Sequence, residues 1–574
     1  MLINYLDQKI RQLFIGILVL IFIIIIRLFY LQIYNTDLLC SKSKKNFIRI
    51  KKILLPRGNI VDANNHILVT NRPVYNIFWQ GTGNKNLNEN QFLLLKKIEK
   101  IIGKEFLNED LLKIKSTEKY SKILQIQTDI TFEQLSKILE QTSHSNNIYI
   151  ETNFKRFYPH ESIACHIVGY LSHMNSETIG KMGLEKLFED QLKGQAGEIL
   201  NTINSVGKNL SREEIKQPKP GKNIITTIDI HLQKIAEAVF PENYKGALII
   251  MDPENGAIKT ILSRPTFNPA TFLNQLTDEE WNEIQEKQPF LNRAFNACYP
   301  PASIFKLITT SAALELGITH QDSKWFCQGF MNFGNRNYFC SKQHNHGLIT
   351  TQEAVAKSCN TFFYNIAKRL HIDDLAAYAN KFGLGEKTGI IFAEKNGLVP
   401  TPLWKYQTFK EHWWPGETLS VVIGQSYLLV TPIQIARFIC SIFTGYLVKP
   451  RLLEEEEIKK VPLDIKHETL EFLKQSMKTV VTTGTGHIVS KIKDIIIYAK
   501  TGTAQTCALS KGESEQKYIA HAWFVSNFAY KNQKPYIMVI IIEHAGTSSI
   551  PIATARNLLL EYRKLCRENE NIKN

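Results

Sequence analysis

The sequence predicts an α+β fold, because two groups of short apolar strands lie on either side of a long block of helical patterns. The strand patterns lie at residues 247–251, 257–262, 495–499, 520–526 and 536–542. The first two are joined by Asp252-Pro253-Glu254-Asn255-Gly256, a hairpin signal, and a final helical pattern covers residues 553–564. We expect an antiparallel sheet that brings these chain-distant strands together beside the helical block, which forms a helical subdomain.

An apolar run at residues 13–34 is long enough to cross a lipid bilayer as a helix, with Arg27 able to reach the interface. A cleaved signal peptide is the alternative, but no small-residue cleavage site follows the run. We therefore expect a retained single-pass anchor behind a short tail, residues 1–12. Basic residues lie on both sides of the span, so charge alone leaves the topology open.

The region between anchor and sheet, residues 35–215, is mixed in pattern, and its histidines and carboxylates are scattered. We interpret it as a non-catalytic pedestal of mixed α/β structure. The turn-rich stretch Gln217-Pro218-Lys219-Pro220-Gly221 then marks the boundary with a second domain at residues 216–574.

The chain carries a formal net charge of +15, with 69 Lys+Arg against 54 Asp+Glu. This balance suits an anionic partner such as lipid or an anionic polymer, or reflects a generally lysine-rich composition. The sequence contains no compact arginine-rich motif typical of nucleic-acid binding, so we predict no nucleic-acid partner.

The first chemical motif is Ser303-Ile304-Phe305-Lys306, which follows Pro300-Pro301-Ala302. A serine and a lysine three residues apart share a helix face, so a neutral lysine could act as general base for the hydroxyl. A serine at the start of a buried helix would also have backbone donors nearby for an oxyanion. The spacing alone is weak evidence, because Ser41–Lys44, Ser116–Lys119 and Ser490–Lys493 share it.

Two further motifs follow in order: Ser358-Cys359-Asn360 after a helical stretch, and Lys500-Thr501-Gly502-Thr503 after the apolar strand that ends at Ala499. The second serine could relay a proton, and Asn360 could hold Lys306 or a substrate amide. Lys500 and the threonine hydroxyls could bind a substrate carboxylate, while Gly502 allows close approach. Lys387-Thr388-Gly389 repeats the third motif, but no strand precedes it, so we interpret it as a structural turn. The three motifs in this order are a strong combined signal.

These motifs match the penicilloyl serine transferases, and their setting resembles the class B penicillin-binding proteins over nearly the whole chain. Other segments that resemble the family are the anchor, Pro56-Arg57-Gly58, residues 183–197, Thr226-Thr227-Ile228-Asp229, Trp414-Pro415-Gly416-Glu417-Thr418, Gly424-Gln425 and Thr431-Pro432. The stretches 500–505 and 521–525 favour the elongation-specific type over its septal relative. Two departures are Ala302, where the family usually has glycine, and Ala63-Asn64-Asn65-His66 in the pedestal.

The resemblance implies a peptidoglycan D,D-transpeptidase with a penicilloyl serine transferase-type domain outside the cytoplasmic (inner) membrane, in the periplasm. It implies that Ser303 attacks a stem peptide, Lys306 takes its proton, and Ser358 relays a proton to the leaving D-alanine. Lys500, Thr501 and Thr503 would bind the terminal carboxylate, and no cofactor would take part in the chemistry. It also implies β-lactams as inhibitors, and as partners a membrane glycan polymerase of the shape, elongation, division and sporulation family and elongation-complex scaffold proteins.

A cysteine cluster is not required by these motifs. Cys327, Cys340 and Cys359, with His346 or His344, could complete a tetrahedral zinc shell, and we favour His346 because it is nearer in sequence to Cys359. Such a Zn²⁺ would be structural. A Cys327–Cys340 disulfide and plain buried thiols are the alternatives.

Other functions stay open as well. A septal transpeptidase would carry the same three motifs. A β-lactam-sensing receptor would need a cytoplasmic signalling domain, for which the residues before Leu13 leave no room. A β-lactamase or D,D-carboxypeptidase would need a well-placed deacylating base, and a purely structural protein is disfavoured because all three motifs are intact.

Overall fold

The computed structural model describes residues 2–53, 55–142, 145–174, 177–203, 209–274, 276–340, 345–505 and 519–573. The chain forms two compact units whose segments alternate along the sequence. The first comprises Met1–Arg57, Asn71–Lys155 and Lys193–Lys222, and the second comprises Gly58–Thr70, Arg156–Leu192 and Asn223–Asn574.

The α-helices are α1 Leu2–Phe29, α2 Thr36–Phe47, α3 Glu89–Ile102, α4 Asn108–Lys119, α5 Phe132–Thr142, α6 Cys165–Val168, α7 Gly183–Leu187, α8 Glu189–Lys193, α9 Ile230–Val239, α10 Asp278–Lys287, α11 Lys306–Glu315, α12 Thr351–Ala356, α13 Asn360–Ala367, α14 Ile372–Lys381, α15 Pro402–Phe409, α16 Pro415–Val421, α17 Pro432–Thr444, α18 His467–Thr482 and α19 Ser549–Lys573. A π-helical turn lies at Tyr30–Tyr34, and 3-10 turns lie at Pro269–Leu273, Ala302–Ile304 and His487–Lys491.

The strands are β1 Ile48–Ile53, β2 Ile60–Val61, β3 Ile67–Gln80, β4 Ile123–Ile130, β5 Ile148–Phe157, β6 Leu171–Met174, β7 Glu177–Gly180, β8 Gly197–Ile203, β9 Asn209–Lys216, β10 Ile224–Ile225, β11 Gly246–Met251, β12 Ile258–Arg264, β13 Lys324–Cys327, β14 Phe330–Phe333, β15 Arg336–Phe339, β16 Gly347–Thr350, β17 Tyr446–Val448, β18 Lys460–Pro462, β19 Ile495–Ala504, β20 His521–Tyr530 and β21 Tyr536–Ile542.

The first unit begins with an apolar helical segment. Lys9–Tyr34 is long and apolar enough to cross a membrane by length and composition, with a mean hydropathy of 3.0. Its large apolar side chains, such as Phe22 and Ile26, are exposed to the surroundings. This agrees with the predicted single-pass anchor, because exposed apolar surface of this length is stable in the hydrocarbon of a bilayer.

The rest of the first unit holds two small sheets. β1, β8 and β9 form an antiparallel three-stranded sheet, and β3 pairs with both β4 and β5. Helices α3 and α5 pack together, and Trp79, Leu95 and Ile98 are buried in the adjoining core. The mixed α/β character expected of the pedestal is confirmed.

The second unit is built on a five-stranded sheet in the order β12-β11-β21-β20-β19, with every neighbouring pair antiparallel. This confirms the predicted antiparallel sheet, in which the early hairpin lies beside strands from the end of the chain. Alternate residues of β11 point to opposite faces, and Leu248, Ile249, Ile250 and Met251 are all fully buried. Because both faces are covered, the central strands β11 and β21 are continuous apolar runs rather than alternating ones.

Helices cover both faces of this sheet. On one face α9 and α19 pack against each other and contribute Leu232 and Leu558 to the core. On the other face α17 packs on β11 and β21 and contributes Ile435. Helices α11 to α18 form the helical block that the sequence predicted, and α18 lies against β19, which is an edge strand.

Two local expectations differ from the structure. The strand predicted to end at Ala499 continues to Ala504, so Lys500 to Thr503 lie within β19. Ser303 lies in a 3-10 turn, and α11 begins only at Lys306. Ala302 has a left-handed backbone with φ of 50°, which a continuous right-handed α-helix cannot include.

Candidate active site

Ser303 lies in the tight turn between Pro301 and α11. Its side chain is half-buried, and it makes no hydrogen bond with the residues that the structure describes. The turn is held from the sheet, because the Trp523 indole N–H donates to the Pro300 carbonyl oxygen at 3.0 Å. The hydroxyl is therefore presented by a fixed backbone.

Lys306 is fully buried. Its Nζ lies 2.8 Å from the Ser358 carbonyl oxygen, 2.7 Å from Asn360 Oδ1 and 3.1 Å from Ser358 Oγ. Burial lowers the pKa of Lys306 to about 8, although the neighbouring thiols of Cys359 and Cys340 act in the opposite direction. Lys306 Nζ can donate to all three of these acceptors, and its lowered pKa makes the neutral amine that a general base requires more accessible near neutral pH.

Ser358 lies between α12 and α13 and has a left-handed backbone, with φ of 55°. A non-glycine residue in this region is strained, so the surrounding contacts must hold it there. Its hydroxyl lies between the two lysines, because Lys500 Nζ also approaches Ser358 Oγ, at 3.3 Å. The first, second and third motifs therefore meet at the Ser358 hydroxyl.

Lys500 is fully buried, and its Nζ also donates to the Thr501 carbonyl oxygen at 3.1 Å. Burial and then the positive charge of Lys306 lower the pKa of Lys500 well below its usual value. One proton can thus pass between two amines through one hydroxyl, as proton transfer to a leaving group requires.

Gly502 is the point where β19 meets the Ser303 turn. A Cβ there would lie 3.3 Å from the Pro301 carbonyl oxygen and 3.4 Å from Ala302 Cβ, so a larger residue would press the strand against the turn. Thr501 is buried and Thr503 is exposed. The two hydroxyls predicted to bind a carboxylate thus differ in exposure.

Two hydroxyl residues that the sequence reasoning missed contact this strand. Thr485 Oγ1 lies 2.6 Å from Thr501 Oγ1, and Ser548 Oγ lies 3.0 Å from Thr503 Oγ1. Both belong to short Gly/Ser/Thr turns, one after α18 and one before α19. Such turns are common in any chain, and only the folded sheet brings them to β19.

The predicted ligand residues Cys327, Cys340, His346 and Cys359 do come together, with their ligand atoms all within 4.8 Å of one another. Cys327 ends β13, Cys340 follows β15, and Cys359 precedes α13. Cys359 stands between Ser358 and Asn360, so the cluster is joined covalently to the second motif. His344, the alternative ligand, lies outside the described residues.

Three of the six separations between the ligand atoms of this cluster fit a tetrahedral zinc shell. Zinc at about 2.3 Å from sulfur and about 2.1 Å from nitrogen requires S–S separations of about 3.8 Å and S–N separations of about 3.5 Å. The structure has 3.7 Å between Cys340 and Cys359 Sγ, and His346 Nδ1 lies 3.4 Å from Cys327 Sγ and 3.5 Å from Cys340 Sγ. Cys340 is a thiol, so the structure contains no Cys327–Cys340 disulfide.

The second Lys-Thr-Gly triplet makes its hydrogen bonds with Glu394 and with none of the motif residues among those that the structure describes. Lys387 is exposed in an irregular segment after α14. Glu394 accepts hydrogen bonds from Thr388 Oγ1 at 2.7 Å and from the Gly389 N–H at 2.8 Å, which fixes the turn. The triplet is a structural turn, in agreement with the sequence interpretation.

The comparisons with known proteins cover both units. Residues 246–559 match the penicillin binding protein transpeptidase domain, and residues 52–226 match the penicillin-binding protein dimerisation domain. The chain is 28% identical to the peptidoglycan D,D-transpeptidase MrdA of Acinetobacter baumannii, over 97% of this chain and 87% of that protein. It is 27% identical to MrdA of Escherichia coli K12, over 97% and 94% of the two chains.

A solved structure of penicillin-binding protein PBP2 from Helicobacter pylori, in complex with MreC, is 26% identical to this chain, with a TM-score of 0.76 over 91% of this chain and 99% of that one. The transpeptidase match covers more than half of the 574 residues and includes all three motifs. On this evidence the chain belongs to the class B penicillin-binding proteins, and within them to the penicillin-binding protein 2 type.

Proposed function

We propose that this protein is a serine-type peptidoglycan D,D-transpeptidase that cross-links stem peptides during cell-wall elongation. The observation that carries the proposal is the position of Ser358 Oγ, which lies 3.1 Å from Nζ of Lys306, the lysine of the Ser303 motif, and 3.3 Å from Lys500 Nζ. This arrangement can take a proton from a nucleophile and deliver it to a leaving amine, which is the requirement of serine acyl transfer to and from an amide.

In the acylation step, Ser303 Oγ attacks the carbonyl carbon of the penultimate D-alanine of a stem peptide. An ester bond to Ser303 forms and the amide bond to the terminal D-alanine breaks. Neutral Lys306 takes the Ser303 proton, and Ser358 relays a proton to the departing amine. Backbone N–H groups of Ser303 and Thr503 stabilise the oxyanion.

The stem peptide that acylates Ser303 is bound by residues of β19. Lys500, Thr501 and Thr503 hold the terminal carboxylate of the stem peptide, and Gly502 leaves space for the substrate backbone. Asn360 keeps Lys306 in place, since its Oδ1 accepts from Lys306 Nζ at 2.7 Å. In the second step the amine of a neighbouring stem attacks the ester, forms the 4→3 cross-link and releases Ser303. β-Lactams acylate the same serine, and these steps need no cofactor.

We propose a structural Zn²⁺ bound by Cys327, Cys340, His346 and Cys359. A shell closed by four protein ligands leaves no position for a substrate, so the ion contributes folding energy rather than chemistry. Because Cys359 is a ligand, the ion would fix Ser358 and Asn360 on either side of it.

We propose that residues 1–12 lie in the cytoplasm, that residues 13–34 anchor the chain in the inner membrane, and that the pedestal (35–215) and the transpeptidase domain (216–574) lie in the periplasm. A membrane glycan polymerase of the shape, elongation, division and sporulation family supplies the strands, and scaffold proteins of the elongation complex bind the chain. A PBP2 relative solved with MreC supports the scaffold assignment. A septal transpeptidase is less supported, and receptor or carboxypeptidase functions lack a specific observation in their favour.

The test uses the full-length protein in membranes with a fluorescent penicillin. We expect one covalent adduct by intact-mass spectrometry, lost in Ser303→Ala and kept in Ser490→Ala, an exposed serine with the same spacing to Lys493. An adduct that persists on Ser303→Ala would show that another serine is the nucleophile. With lipid-linked glycan and a polymerase, dimeric cross-linked peptides support a transpeptidase, whereas D-alanine release without dimers indicates a carboxypeptidase.

A further inference from the structure

The exposed threonine of the third motif has a partner on another part of the chain. Thr503 Oγ1 lies 3.0 Å from Ser548 Oγ, and the same Ser548 hydroxyl donates to the Gly502 carbonyl oxygen at 3.0 Å. Ser548 lies just before α19, and the Ile552 N–H donates to its carbonyl oxygen at 3.1 Å. A half-buried serine fixed at the start of a long helix thus holds the edge of β19 at two points.

Each of the two hydroxyls, of Ser548 and of Thr503, has a single hydrogen, so the direction of their hydrogen bonds can be assigned. A serine hydroxyl has one hydrogen to donate, and here it is directed to the Gly502 carbonyl oxygen. The contact between the two hydroxyls must then use the Thr503 hydrogen, with Ser548 Oγ as acceptor. In this arrangement the Thr503 hydroxyl presents only lone pairs to the cleft.

A carboxylate accepts hydrogen bonds and cannot donate them, so it cannot bind Thr503 in that state. Thr503 must turn its hydrogen toward the cleft, after which the Ser548 hydrogen can move from the Gly502 carbonyl oxygen to Thr503 Oγ1. The pair remains hydrogen-bonded in both states. Hydrogen bonds in such a chain polarise one another, so Thr503 becomes a better donor to the anion.

We propose that Ser548 is a positioning residue for carboxylate recognition. It orients the Thr503 hydroxyl, and when the substrate carboxylate binds, Ser548 changes from acceptor to donor in its hydrogen bond with Thr503. The inference rests on the proposed function, since it concerns the same substrate. Ser548 lies outside all three motifs and touches neither Ser303 nor Lys306 among the contacts of the described residues. It therefore acts on binding and leaves proton transfer intact.

The expected signature is a loss of affinity with an unchanged chemical step. In Ser548→Ala we expect the dissociation constant for benzylpenicillin before acylation to rise about three- to tenfold, the range of one neutral hydrogen bond, and the limiting acylation rate to stay at its wild-type value. Ser548→Thr keeps the hydroxyl and should restore affinity. Ser549→Ala is the matched control, because this exposed neighbour contacts Thr547 instead of Thr503.

The experiment is stopped-flow acylation of the full-length protein in detergent, run as a double-mutant cycle with Thr503→Val. Ser548→Ala should have no further effect in the Thr503→Val background, since the hydrogen bond is already lost. Thr503→Val removes the same hydrogen bond by changing the exposed partner. The coupling between the two residues can therefore still be measured if Ser548→Ala lowers the melting temperature. The inference about Ser548 would be overturned if the effects of the two substitutions were additive, if Ser548→Ala slowed the limiting acylation rate, or if it left the affinity unchanged. None of these outcomes would contradict the proposed function. A wild-type protein that is not acylated at Ser303 would overturn the proposed function and the inference with it.

Discussion

Ala302 and Gly424 are in direct backbone contact: the Ala302 N–H donates to the Gly424 carbonyl oxygen at 2.8 Å. Both residues have left-handed backbones, with φ of 50° and 78°. A Cβ on Gly424 would lie 2.1 Å from the Ala302 carbonyl oxygen, which is closer than atoms can approach. The residue before the nucleophile is therefore held in an unfavourable conformation by a glycine more than a hundred residues later in the sequence.

This contact gives two different expectations. Ala302→Gly removes a left-handed strain of about 1–2 kcal/mol, while the added freedom of the unfolded chain and the loss of a buried methyl group take back about 0.4–1 and about 0.8 kcal/mol, so stability should change little. Gly424→Ala should lower the melting temperature and slow acylation, because the new methyl group must push the Ser303 turn away. Thermal unfolding and penicillin acylation rates of the two variants measure this. A Gly424→Ala protein with wild-type values would contradict the account.

The two Lys-Thr-Gly triplets offer a matched pair of variants. Lys500→Ala removes the amine that lies 3.3 Å from Ser358 Oγ, and we expect acylation to slow by about tenfold or more, as for a lost hydrogen bond to a charged group. Lys387→Ala alters an exposed side chain and should affect stability at most. The measurement is the acylation rate of both proteins after circular dichroism has shown them to be folded. Equal losses in the two would contradict our assignment of the third motif.

The proposed zinc site predicts both the metal content of the purified protein and its thermal stability. Protein purified without chelator should contain about one zinc per chain, and three of its nine cysteine thiols should become reactive when chelator removes the ion. Removal of the ion, or Cys359→Ser, should lower the melting temperature and slow acylation without abolishing it, because Ser303 is intact while Ser358 and Asn360 lose their support. Metal-free protein with a Cys327–Cys340 bond would exclude the site and leave the catalytic proposal unchanged. Cys298→Ser, remote from the cluster in sequence, is the control for cysteine replacement.

The first unit contains a buried carboxylate, Glu118, with only neutral donors. It accepts hydrogen bonds from Trp79 Nε1 at 3.0 Å, from Gln91 Nε2 at 3.0 Å, from Asn147 Nδ2 at 3.1 Å and from Thr82. Burial alone would raise the pKa of Glu118, but hydrogen bonds from Thr82, Gln91 and Trp79 outweigh it and lower the pKa below its usual value. The ionised form is therefore the one that the fold stabilises.

A lowered folded-state pKa means that this stabilisation is present above the unfolded value, about 4.3, and is lost as the pH falls through the folded value. Glu118→Gln replaces one acceptor by a donor and should cost about 2 kcal/mol in local stability at neutral pH. Hydrogen-exchange mass spectrometry on α4 and on residues 79–82 measures this cost. The difference from wild type should shrink below about pH 4. Glu109→Gln, exposed on the same helix, is the control, and equal exchange in both variants would contradict the prediction.

Much of the fold could be predicted from the sequence. The strands of the central sheet, the apolar anchor segment and the helical block follow from local apolar patterns, because a strand buried on both faces or a helix in lipid must be continuously apolar. The order of Ser303, Lys306, Ser358, Asn360 and Lys500 also singled out one set of residues among several serine–lysine pairs. The cysteines and His346 could be grouped because zinc needs a limited choice of ligand types.

Other features depended on the tertiary structure. Thr485 and Ser548 lie in ordinary polar turns, and their contacts with β19 exist only because α18 and α19 end or begin beside that edge strand. Lys306 contacts Ser358 and Asn360, more than fifty residues later in the chain, and Ala302 before the nucleophile contacts Gly424. Local sequence sets which conformations a segment prefers, whereas such contacts join residues far apart in the chain and are decided when the whole unit packs.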